Sequence, residues 1–77
     1  MARYFFDVID GETRIDTVGT ECGSPEEARA EAIVTAGEMV RDALRHFRES
    51  SEWQMIVRDE ERRPFLNLRF SAEPALP

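Results

Sequence analysis

Apolar and polar residues alternate with a period of two at both ends of this chain and with a helical period between them. In the opening stretch RYFFDVI, Tyr4, Phe6 and Val8 fall on one face, and Arg3, Phe5, Asp7 and Ile9 on the other. Aromatic and β-branched residues dominate it, so it reads as a strand. Asp10-Gly11 predicts a hairpin turn, because glycine accepts positive φ and aspartate tolerates it. A second strand over about 12–17 is polar apart from Ile15, which suits a sheet edge whose charges discourage further pairing.

SPEEA then opens a helix. Ser24 is placed as the N-cap, Pro25 stands at the first helical position where its missing N–H costs nothing, and Glu27 completes a capping box. Glu26 and Glu27 also favour the positive end of the helix dipole. The helix is predicted to run from about Pro25 to Arg48. Ala28, Ala32, Ala36, Val40, Ile33 and Leu44, with Met39, Ala43 and Phe47, share an arc of roughly 160°. The alanines would let the first half approach a sheet closely, and Leu44 and Phe47 place bulk in the second half. Gly37 interrupts the pattern at about 1 kcal/mol and predicts a close contact or a bend.

ESSE ends the helix. WQMIVRD predicts a third strand, with Trp53, Met55 and Val57 on one face, and DEERRP turns it. FLNLRFS is the fourth, with Leu66, Leu68 and Phe70 alternating against Phe65, Asn67 and Arg69; Pro64 suits its start. Residues 72–77, AEPALP, read as a disordered tail, leaving 1–71 as one domain. The expected fold is α+β, in the order β-β-α-β-β: a four-stranded antiparallel sheet with one long helix packed on one face. Phe6, Val8, Met55, Val57, Leu66, Leu68, Phe70 and the helix alanines are the expected core. Strand order is left open.

This geometry leaves apolar surface over. A helix of that length spans about 36 Å, and a four-stranded sheet of such strands has a diagonal of about 26 Å. The helix should overhang by about two turns, carrying Leu44 and Phe47. One helix covers one face, and the other face presents Phe5, Ile9, Ile56 and Phe65 among charged neighbours. Surplus apolar surface on a small domain points to self-association or a partner. The expectation is a homodimer with Phe5, Leu44, Phe47, Ile56 and Phe65 at its interface. A curved sheet, its end wrapped by the same side chains, would use them without a partner.

Charge narrows the partners. The 77 residues carry ten cations, all arginine, against sixteen carboxylates, a net charge of −6. No basic cluster forms a nucleic-acid footprint, and no run approaches a membrane span. Acidity instead suits a basic protein partner, as for an antitoxin-like or inhibitor subunit. Cys22 is the single cysteine, MARYFFDVID lacks the pattern of a secretory leader, and a cytoplasmic protein is expected.

Candidate chemistry is sparse. DVIDGETRIDTVGTE concentrates Asp7, Asp10, Glu12, Asp16 and Glu21 around Gly11 and Gly19. A calcium loop needs oxygen ligands at its positions 1, 3, 5 and 12 with glycine at 6. Gly11 in that place puts Phe6 and Val8 at ligand positions, and Gly19 puts Arg14 and Val18 there, so both registers fail. An irregular cation site would draw on Asp10, Asp16 and Glu21. The competing reading makes Asp10 the turn former and leaves the other two solvated or capping loops. His46 has no partnered nucleophile and suits a helix C-terminus. Ser50 and Ser51 are loop formers. No catalytic motif is present, so no enzyme and no cofactor are expected.

The run RYFF at Arg3–Phe6, the Asp10-Gly11 turn, the acidic Asp16–Glu21 segment, the alanine-rich helix and VRDEERRP at Val57–Pro64 together resemble a family of small bacterial domains of unknown function. The likeness covers nearly the whole chain and implies no active residues. Glu61 departs from the pattern where a hairpin glycine is commoner. A looser, fold-level likeness is to HicB-type antitoxins, which also pair a hairpin-bearing sheet with an EEA helix.

Overall fold

A computed structural model describes residues 1–43 and 51–75. In chain order the elements are β1 (Ala2–Ile9), β2 (Thr13–Arg14), β3 (Thr20–Cys22), α1 (Pro25–Ala43), β4 (Ser51–Arg58) and β5 (Pro64–Ala72). The expected α+β architecture is present, an antiparallel sheet with one helix against it. The order is β2-β1-β4-β5, and β3 also pairs with β1. The sheet has five strands rather than four, because the expected second strand is broken in two. Val8 pairs with Arg14 and Tyr4 with Thr20, so residues 5–7 of β1 stand opposite residues 15–19, which leave the ladder.

The start of α1 keeps the expected Ser24 cap, while the Glu27 side chain bonds one residue before the N-cap rather than the N-cap itself. Ser24 Oγ accepts the Glu27 N–H at 3.1 Å, and Glu27 Oε2 accepts the Gly23 N–H at 2.9 Å. Ala28, Ala32 and Ala36 are buried against the sheet. Ala32 and Ala36 pack with Val8, Trp53, Met55 and Val57, and Ala28 packs with Tyr4 and Cys22. Each large side chain buried there contributes about 1.5–3 kcal/mol.

The core is narrower than the hydrophobic pattern. Val8, Met55 and Val57 are buried, while Phe6, Leu66 and Leu68 are half-buried and Phe70 is exposed. For Leu66, Leu68 and Phe70 the cause is strand order: they belong to the outer strand β5, whereas the large buried residues lie on the central strands β1 and β4. Within the helical arc, Ile33 and Met39 remain exposed at its flanks. The described helix of 19 residues is about 28 Å long, close to the sheet diagonal. The predicted overhang, with Leu44, His46 and Phe47, lies outside the described residues. Strand β5 runs through Ala72, one residue past the expected domain end.

Two local details differ from expectation. The register changes between Val57↔Leu66 and Arg58↔Pro64, which makes Phe65 the extra residue of a β-bulge. Phe65 therefore does not sit with Asn67 and Arg69. Its ring meets Tyr4 edge-on, centroids 5.6 Å apart, beside the helix start. In the β4–β5 turn the left-handed residue is Arg62 (φ 66) rather than Glu61. The Asp59 carbonyl accepts the Arg62 N–H at 2.9 Å to close the turn, and Arg62 itself takes the positive φ for which glycine is the residue best suited.

Candidate functional site

The acidic run forms a strap over the sheet face opposite α1. Where residues 15–19 leave the ladder, the Phe6 N–H loses its strand partner, and Asp16 Oδ2 accepts it at 3.1 Å. Asp16 Oδ1 accepts the N–H groups of Val18 and Gly19 at 3.0 and 2.9 Å. The Asp16 N–H in turn donates to Asp7 Oδ1 at 2.9 Å, and Arg58 Nε donates to Asp7 Oδ2 at 2.8 Å. Arg62 donates to the Asp16 carbonyl at 3.1 Å and lays its guanidinium 3.9 Å from the Phe5 ring centroid. Arg3 closes the other side, donating to the Val18 carbonyl at 2.8 Å and to Glu21 at 3.0 Å.

The electrostatics match a structural clasp. Burial by itself raises the Asp16 carboxyl, but the amides of Gly19, Phe6 and Val18, with Arg62, outweigh it and hold the group below the usual range. The Arg63 amide and guanidinium, with the Glu61 amide, hold Asp59 below its usual range despite some desolvation. Burial, then Glu27 and Glu31, push the Cys22 thiol up, the opposite of what a reactive cysteine needs. Among the described residues no buried side-chain nitrogen or oxygen lacks a hydrogen-bond partner.

The three candidate cation ligands do not converge. Asp10 pairs with Arg14, Asp16 is committed to backbone amides, and Glu21 pairs with Arg3. Among the described residues no three His, Cys, Asp or Glu side chains are grouped to hold a metal ion.

The expected interface residues are scattered. Phe5 is buried at 8% exposure under Arg62 and Gly19, because the strap covers the face it was expected to present. Ile56 is half-buried on that face, and the bulge turns Phe65 to the other one at 43% exposure. Leu44 and Phe47 lie outside the described residues.

An apolar groove stays open elsewhere, between α1 and β5. Ile33, Ala36, Gly37 and Val40 from the helix face Trp53, Leu68 and Phe70 from the sheet across a groove of ≈ 310 Å³. Arg69, paired with Glu52 at 3.2 Å, is its one charged lining residue. A Cβ added at Gly37 would meet nothing within 4 Å, so the expected close contact there is absent; the glycine opens the groove instead. The sequence carried one signal of this place, the helical arc reaching Ile33. Locating the groove required knowing that β5 is the outer strand.

A family model described as "Domain of unknown function (DUF6894)" matches residues 3–71. No curated protein and no solved structure matches the chain.

Proposed function

The chain belongs to that family of domains of unknown function, and from this premise we propose that it is a small, non-catalytic protein-interaction domain that self-associates. The observation that carries the reading is the apolar groove beside β5, open on a domain this small. The groove offers apolar contact with one charged group that is already paired, which suits a protein surface better than a small polar substrate. Asp7 and Asp16 are committed to Arg58 and to backbone amides, which supports a structural role for these two carboxylates of the strap. Sedimentation velocity from low to high micromolar protein tests the proposal. A mass that rises with concentration toward twice the chain mass is expected, and a constant monomer mass counts against it.

The net charge of −6 favours a second reading, an acidic inhibitor or antitoxin-like subunit covering a basic protein. Glu31 and Glu38 are exposed on α1. That reading predicts a heteromeric complex that weakens with added salt, whereas an apolar self-contact changes little with salt.

A further inference from the structure

We infer that self-association joins β5 to β5 of a second copy, antiparallel about a two-fold axis at Leu68, so that one sheet runs through both protomers. This rests on the self-association reading above and names its partner surface.

The two edges of the sheet are unlike. Beyond β1 the edge is broken into a strand of 2 residues and one of 3, separated by the strap. Interruption and charge protect such an edge from further pairing. The opposite edge is β5, 9 residues long, which among the described residues pairs only with β4. Its proline is at the first position, it has no lysine, and Arg69 is its single charged residue. The proline and the bulge at Phe65 are confined to its first two positions, which leaves residues 66–72 as a regular edge, a template for pairing.

The sequence of β5 is self-complementary about one residue. Opposed residues of an antiparallel pair point to the same face. An axis at Leu68 sets Leu68 against Leu68, Leu66 against Phe70, and Asn67 against Arg69. Apolar side chains then meet on the helix side and polar ones on the other. An axis at Arg69 would oppose two arginines, which is destabilising. An axis at Asn67 would leave Phe70 facing Pro64 and the bulge. The axis at Leu68 keeps the paired stretch, 66–70, inside the regular register of β5 and opposes no like charges. It also brings the two grooves together, since Leu68 and Phe70 line each of them.

The test uses Asn67, an exposed residue outside the core. Asn67→Arg puts arginine against Arg69 at two symmetry-related places and should raise the dimer dissociation constant about tenfold. Asn67→Asp should lower it, and it keeps the oxygen that accepts from Gln54. Asn67→Arg combined with Arg69→Asn restores the original opposition and should recover most of the affinity. Circular dichroism melts verify that each variant is folded. A wild-type dimer whose dissociation constant is unmoved by both single substitutions overturns pairing through β5 and leaves self-association standing. A wild-type chain that stays monomeric at every concentration overturns both.

Discussion

Asp7 on β1 and Arg58 on β4 form an ion pair of 2.8 Å in which the carboxylate is 3% exposed and the guanidinium 28%. Phe5 is paired with Arg58 and Asp7 with Ile56, so the two charges meet on the diagonal of the ladder. The second Asp7 oxygen accepts the Asp16 N–H. One buried carboxylate thereby ties two central strands to the strap.

Asp7→Ala should destabilise the fold by about 2–3 kcal/mol, because Arg58 and the Asp16 N–H both lose their acceptor. The partial exposure of Arg58 lets water relieve part of that cost, which keeps the loss below that for a fully buried pair. The melting temperature should fall by roughly 10–20 °C. Asp7→Asn retains an oxygen for the Asp16 amide and should cost less. Urea unfolding decides it: an Asp7→Ala midpoint equal to wild type would show that the pair does not hold the strap.

Asp16 predicts an acid limb. Its folded-state pKa lies below the unfolded value. Its contribution is therefore fully present above the unfolded pKa of about 3.9 and is lost as pH falls through the lower folded value. The stability gap between wild type and Asp16→Asn should be largest near neutrality and shrink below about pH 4. A gap that stays constant across that range would remove the amide-bound carboxylate as its source.

Much of this was legible in the chain, for reasons that can be located. Ser24 and Glu27 specify the helix start through local bonds, and the structure makes the Ser24 one as expected while Glu27 reaches one residue further back, to the Gly23 N–H. The alternation of Tyr4, Phe6 and Val8 selects the helix-side face through the period of a strand. What escaped depends on contacts distant in sequence. The polarity of 12–17 suggested one edge strand, but Asp16 takes the Phe6 amide and ends that strand after Arg14. Phe65 followed the alternation until a bulge, invisible to a period of two, turned it toward Tyr4. The groove was hidden because nothing in the pattern distinguishes the outer strand from the central ones.

Arg62 holds positive φ without being glycine, and its side chain explains why. It stacks on Phe5 and bonds the Asp16 carbonyl, contacts that offset a strain of about 1 kcal/mol. Arg62→Gly removes both the contacts and the strain and should be nearly neutral. Arg62→Ala keeps the strain, loses the contacts and should destabilise by about 1–2 kcal/mol. The order Ala below Gly in thermal melts is the outcome to check; an alanine variant as stable as the glycine one would refute the strain.

Two glycine-to-alanine substitutions should move stability in opposite directions. Gly19 has φ 80, and a Cβ there would lie 2.7 Å from Arg3 Cγ and 3.0 Å from Phe5 Cε1. Both the backbone and the roof over Phe5 resist a side chain, so Gly19→Ala should cost about 1–3 kcal/mol. Gly37 lies inside α1, and a Cβ there meets nothing within 4 Å. Alanine removes the helix penalty of glycine and should add up to about 1 kcal/mol. For a domain this small that corresponds to a rise of roughly 4–8 °C in melting temperature. Calorimetry on dilute samples, where the monomer dominates, isolates the fold from any assembly. A Gly37→Ala chain that melts below wild type would mean that the glycine answers to a contact beyond the described residues of one chain.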